Sequence, residues 1–222
     1  MPDTTGQDVP CPYCNNISGV GPAPHLSSGS DFDIPVAEFD RTVCVPTVGM
    51  LTPGYCLLVD RVHSSSYSTL SRDQFEMVVA DLRKSLNLLE PVFGPYLVVE
   101  HGFATRRTVP HGSCIDHSHF HLIPDSCGVL TESVLGSELA FHKTSAGELE
   151  NLAGHGYLLI GVDSEFYSTR FEGLPSQWIR RRLFEVRELT GSWDWAADVG
   201  RDNLLKTRKM LRECSEEGNR GQ

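Results

Sequence analysis

Long apolar runs are missing from this chain. No stretch approaches the roughly 18 residues that a membrane-crossing helix needs. The opening residues, MPDTTGQDVPCPYC, have neither a basic start nor an apolar stretch. No secretory signal is therefore expected, and the expected location is cytoplasmic, with no membrane partner. Positive charge is scarce as well: 19 Lys and Arg stand against 29 Asp and Glu, a net charge of −10. That balance argues against an extended nucleic-acid surface, although one small phosphorylated ligand needs only a few local donors. Internal repeats and low-complexity tracts are absent too. What remains is an ordinary globular composition, 40% hydrophobic and 22% charged over 222 residues. It suits one domain with an extension, or two small ones.

Seven cysteines, an odd number without an export signal, argue against a disulfide framework. Cys44 and Cys56 sit in apolar runs and read as small core residues. Cys11 and Cys14 differ. They flank Pro12 and Tyr13 in a knuckle whose spacing lets two thiolates reach one metal ion. A redox dithiol is the rival reading. Such a pair usually opens a helix after a strand, whereas here Asn15-Asn16 and a Gly/Pro-rich stretch follow.

The elements come next. Residues 1–30 are rich in Pro, Gly, Ser and Thr and read as an arm. Thr42–Pro46 and Tyr55–Val59 are β-like runs separated by Gly49 and Pro53-Gly54, a hairpin pattern with Pro46 at a strand end. Ser71 and Gln74 form a capping-box pattern. Phe75, Val78, Val79, Leu82, Leu86 and Leu89 then recur at helical spacing, and Pro91 is expected to stop that helix. Tyr96–Glu100 and His117–Ile123 read as strands, joined by a polar loop from His101 to Asp116. Gly156–Val162 reads as a further strand, with helices expected over Pro175–Leu189 and Asp202–Arg212.

His117, His119 and His121 alternate with Ser118 and Phe120. Alternate residues of a strand share one face, so three imidazoles are expected side by side. Two chemistries compete for them. The three rings are either ligands of a catalytic zinc or iron, or a central nucleophile that attacks phosphorus, flanked by helpers. The Gly112-Ser113-Cys114 turn just upstream suits the second, because backbone N–H groups and a hydroxyl there would cradle a phosphate.

His117-Ser118-His119-Phe120-His121-Leu122-Ile123 resembles the signature of the histidine triad superfamily. Pro53-Gly54 with Leu57-Leu58-Val59, ending at His63, and Glu100-His101-Gly102 after the long helix, stand in the family's order. The resemblance covers roughly residues 10–125. Leu174 to Arg181 and Trp193-Asp194-Trp195 are similar to the C-terminal extension of a longer bacterial subgroup.

The resemblance implies an α+β fold: an antiparallel sheet with a long helix packed on it, plus a C-terminal α/β extension. It divides the chain into a zinc-knuckle arm (1–30), a catalytic core (31–125), an extension packed on the core (126–215) and a flexible tail (216–222). It implies a nucleotide hydrolase acting on a nucleoside-monophosphate derivative, a phosphoanhydride, phosphoramidate or phosphoester. His119 is the implied nucleophile, His121 the phosphate-orienting group and His117 the third catalytic histidine. Ser113, with Gly112, is the implied contact near the leaving group, and the helix carrying Gln177 and Arg181 is implied to close over the site; His101 and Arg107, on the loop before the triad, are candidate phosphate contacts by position. Cys11, Cys14, His63 and His117 are the implied ligands of a structural zinc. The partner is a small nucleotide or nucleotide-sugar-like substrate, and a homodimer is the family's common assembly. A transferase or phosphorylase of the same superfamily, a three-His metalloenzyme and a non-catalytic nucleotide-binding module are the alternatives. Transferases of the family usually carry Gln at the third triad position, so His121 leans toward hydrolysis. Tyr55 stands where many members have a histidine. Thr47 stands about where an acidic residue meets the ribose, a role that Asp31, Asp33 or Asp60 would have to fill.

Overall fold

The computed structural model describes residues 11, 13–14, 34–102, 117–162, 164–171, 174–175 and 177–220, the last four of these as backbone only. Eight strands form one sheet: β1 (Ala37–Glu38), β2 (Thr42–Pro46), β3 (Cys56–Asp60), β4 (Tyr96–Gly102), β5 (His119–Pro124), β6 (His142–Lys143), β7 (Tyr157–Val162) and β8 (Glu165–Arg170). Their order is β1-β2-β3-β5-β4-β7-β8-β6, and every neighbouring pair is antiparallel. Among the described residues four helices of seven residues or more complete an α+β architecture: α1 (Arg72–Phe93), α2 (Val129–Leu135), α3 (Trp178–Val186) and α4 (Arg201–Arg220). No helix among the described residues is long and apolar enough to cross a membrane.

Strand alternation sorts the core into two layers. On one face Cys44, Cys56, Leu58, Val98, Phe120, Leu122, Tyr157 and Leu159 pack under Phe75, Val78, Leu82 and Leu89 of α1. On the other face Leu57, Val59, Leu97, Val99, Ile123, Leu158 and Ile160 meet Leu130 and Val134 of α2, Ile179 and Leu183 of α3, and Leu204 of α4. His119 and His121 share the parity of Ile123, so they lie on this second face. The C-terminal helices thus cover the sheet surface that carries the histidines.

The expected capping box is present: Ser71 Oγ accepts from Gln74 N, and Gln74 reaches back to the Ser71 N–H. Pro91 does not stop α1, which runs on to Phe93. A proline in the last turn forfeits a single N–H bond, and the helix ends instead at Gly94, whose φ of 80° reverses the chain. Strand β5 starts at His119, with His117 in the bend before it. Helix α3 is shorter than expected because Gln177, in a left-handed conformation (φ 58°), forms its N-terminal boundary. Helix α4 extends well past Arg212.

Candidate functional site

The site is assembled where β3 ends and β5 begins. The Asp60 carboxylate is fully buried and accepts from Arg41 Nε and Nη2 at 3.0 and 2.7 Å and from Val62 N at 2.8 Å. This fixes the turn that leads to His63, and it commits Asp60 to structure rather than to a ribose. Ser64 accepts the Ser118 N–H through its carbonyl, and the two hydroxyls meet at 2.7 Å. His63 is thereby set beside His117. Ser118 itself is buried, on the strand's far side from the imidazoles.

His117 Nε2 lies 2.7 Å from the Asp60 carbonyl. A carbonyl only accepts, so Nε2 carries the proton and the Nδ1 lone pair is left to bind. That Nδ1 faces Cys11 Sγ at 3.3 Å, Cys14 Sγ at 3.6 Å and His63 Nδ1 at 3.3 Å, while Cys14 Sγ is 3.4 Å from His63 Nδ1. All four ligand atoms lie within 4.8 Å of one another. A tetrahedral ion bound to nitrogen at about 2.0–2.1 Å and sulfur at about 2.3 Å would separate its ligands by roughly 3.3–3.8 Å. The Cys₂His₂ set therefore fits such an ion in both donor type and spacing.

His119 and His121 are partly exposed, with ring centroids 4.9 Å apart. In the ladder His121 lies between Leu57 and Val99, and His119 opposite Val59. His119 Nδ1 is 2.6 Å from the His117 carbonyl, which assigns the proton to Nδ1 and leaves a lone pair on Nε2. Burial holds the His119 pKa down at about 4, outweighing the opposing effect of its bond to the His117 carbonyl, so the ring is neutral at physiological pH. Burial likewise takes His121 well below the ordinary histidine range, helped by the repulsion that a protonated His119 would add and by the Arg180 cation. His121 Nδ1 is 2.9 Å from the hydroxyl of Tyr55, which is fully buried. Tyr13, from between the two cysteines, brings its ring within 5.8 Å of His117 and 6.1 Å of His119.

The three triad histidines do not converge on one point. His117 turns into the cysteine cluster, and the Nδ1 atoms of the other two are engaged by a carbonyl and a hydroxyl. Among the described residues the only grouping with metal-ligand spacing is Cys11, Cys14, His63 and His117. His101 lies on the histidine face of β4, its ring tilted against that of Phe171 with centroids 5.2 Å apart. Gln177 and Arg181 stand one helical turn apart, as expected: Arg181 N donates to the Gln177 carbonyl at 3.0 Å where α3 begins, while the Gln177 side chain donates to Asp194 Oδ1 at 3.2 Å and Arg181 lies over the Trp193 ring at 4.0 Å. Neither makes a described contact with the triad. Gly112, Ser113 and Arg107, with Asp31 and Asp33, lie outside the described residues. One contributor escapes sequence reasoning as a site residue: in the sequence Tyr13 is only a spacer between cysteines. Arg180, buried and 5.9 Å from the Tyr55 ring, belongs to a helix remote in sequence.

No protein-family model matches the chain. No curated protein matches it either. Among solved structures it is similar to a HIT family protein from Bacillus anthracis str. 'Ames Ancestor', with 20% identity over 51% of this chain and 72% of that one and a TM-score of 0.38. It is similar to a hypothetical histidine triad nucleotide-binding protein from Sulfolobus tokodaii strain 7, with 17% identity over 53% and 70% of the chains and a TM-score of 0.40. It is also similar to a HIT family hydrolase from Clostridium thermocellum, with 18% identity over 52% and 90% of the chains and a TM-score of 0.37.

Proposed function

We propose that the chain is a histidine triad protein that hydrolyses a nucleoside-monophosphate derivative through a nucleotidyl-histidine. The reading rests on one contact above all, the 2.6 Å bond from His119 Nδ1 to the His117 carbonyl. It aims a neutral Nε2 lone pair away from the sheet on a ring whose depressed pKa keeps it unprotonated. Nε2 attacks phosphorus and forms a P–N bond. The leaving group departs with the electrons of its bond to phosphorus and takes up a proton. Water then cleaves the P–N bond, restoring the imidazole. His121 holds the phosphoryl oxygens, with His101 on the same face, and fixed donors there stabilise the developing charge. Ser113, Gly112 and Arg107 complete the phosphate contacts in this reading, and Gln177 and Arg181 belong to the covering extension.

Cys11, Cys14, His63 and His117 would hold one zinc. With four protein ligands its place is structural, pinning the arm beside the nucleophile's strand. A homodimer would have to use helix or loop surfaces, since both outer strands described have two residues.

The deciding experiment incubates the protein with a panel of nucleotide derivatives and seeks a nucleoside-monophosphate adduct by mass spectrometry. The adduct is expected on the peptide containing His119 and is expected to vanish in His119→Ala. Wild-type turnover by His119→Ala would refute the nucleophile. Nucleotide binding without turnover would mark a binding module instead, and turnover only with added phosphate a phosphorylase.

A further inference from the structure

The partners of the two site imidazoles differ in kind. His119 Nδ1 meets a carbonyl, which can only accept. His121 Nδ1 meets the Tyr55 hydroxyl, which can do either. The charge packed against that tyrosine decides its direction. Arg180 approaches Tyr55 from α3, and a guanidinium only donates. The cation is itself held rigidly: Nε donates to the Trp193 carbonyl at 3.0 Å, Nη2 to the Gly49 carbonyl, and Nη1 lies 3.5 Å from the Val48 carbonyl. A fixed cation over the phenol ring favours the hydroxyl orientation that turns its proton away from the cation and toward the imidazole nitrogen. Burial keeps the phenol protonated, with its pKa pushed up to about 12, so the proton is there to be given.

We infer that Tyr55 and Arg180 are positioning residues that lock His121 into the tautomer bearing its proton on Nε2. The inference rests on the nucleotidyl-transfer reading for its purpose, though not for its geometry. Two adjacent imidazoles then present opposite faces to one phosphoryl group: a lone pair from His119 and an N–H donor from His121. The donor is set before substrate arrives, and the residue that sets it comes from the C-terminal extension. Tyr55 thereby has a part that the hairpin motif around it does not announce.

The test is long-range ¹H–¹⁵N spectroscopy of the zinc-loaded full chain near neutral pH, with His121 assigned by comparison with His121→Ala. The expected wild-type spectrum has Nδ1 of His121 unprotonated and Nε2 protonated. In Tyr55→Phe, which keeps the ring, the two His121 nitrogens should shift toward each other as the tautomers mix. His119, whose partner is the carbonyl, should not change. Arg180→Lys keeps a donating cation and should preserve the tautomer, whereas Arg180→Met should mix it. With an AMP phosphoramidate as probe, Tyr55→Phe should lower kcat roughly tenfold or more and move KM by less than about twofold. A wild-type His121 protonated on Nδ1, or a His121 spectrum unchanged in Tyr55→Phe, would overturn the inference. The spectra decide it even if Arg180 variants do not fold or no probe is turned over, so its failure is separable from that of the catalytic reading.

Discussion

At the scale of single residues, Glu100 is a buried carboxylic acid on the sheet face opposite the histidines. Its oxygens accept from Tyr67 N at 2.6 Å and from the Tyr157 hydroxyl at 2.7 Å. Those bonds only partly offset burial, which raises its pKa from 4.5 to about 7. The folded state therefore holds this proton more tightly than the unfolded chain does. Its contribution to stability is full below about pH 4.5 and is lost as the pH rises through about 7. The loss is on the order of 3 kcal/mol. Urea unfolding across that range should show Glu100→Gln gaining on the wild type as pH rises and a constant gap above about pH 8. A gap that does not vary with pH would refute the assignment. The histidine alternation was readable residue by residue because period-2 geometry is local. The burial of Arg180 was not, because which of three consecutive arginines is buried depends on where α3 docks.

At the scale of elements, local chemistry predicted well wherever an element is self-contained. The cap of α1 and its apolar stripe, the β2–β3 hairpin, and strands β4 and β7 were all legible. Short strands β1 and β6 and helix α2 were not, since two to seven residues carry too little pattern to stand out from a loop. The boundary of α3 was misplaced because Gln177 takes a left-handed conformation that nothing in its own side chain announces. The β2–β3 loop shows how the C-terminal segment packs against the sheet. Gly49 has φ 72° and donates to the Val199 carbonyl at 2.8 Å. A Cβ there would fall 2.6 Å from Arg180 Nη2 and against the Trp195 side chain. Gly49→Ala should therefore cost about 2–4 kcal/mol by denaturant unfolding, from backbone strain and overpacking together. A cost below about 0.5 kcal/mol, the level of an ordinary surface change, would show that this contact is loose.

At the scale of the whole molecule, the cysteine–histidine cluster joins segments that are far apart: Cys11 and His117 are 106 residues distant. The donor set was legible from the cysteine spacing and the family resemblance. The closeness of its ligand atoms was not, because it depends on β3 pairing with β5 and on the contact from His117 to the Asp60 carbonyl across 57 positions. Purified protein should carry about one zinc per chain by elemental analysis. The Cys11→Ser/Cys14→Ser variant should lose it, with a thermal midpoint several degrees lower, since an ion that binds only the native state stabilises it. A metal-free chain that melts with the wild type would remove the structural role.

Among the described residues, the outermost strands of the sheet are β1 and β6, two residues each. Strands β4, β5 and β7 are interior with a neighbour on each side, and β8 is paired on its outer side at Tyr167 and Ser168. Such a sheet offers a stray polypeptide little beyond the remainder of β8 to zip onto. Concentrated solutions held below the melting temperature should therefore stay free of thioflavin-positive fibrils, and fibril growth should wait on unfolding.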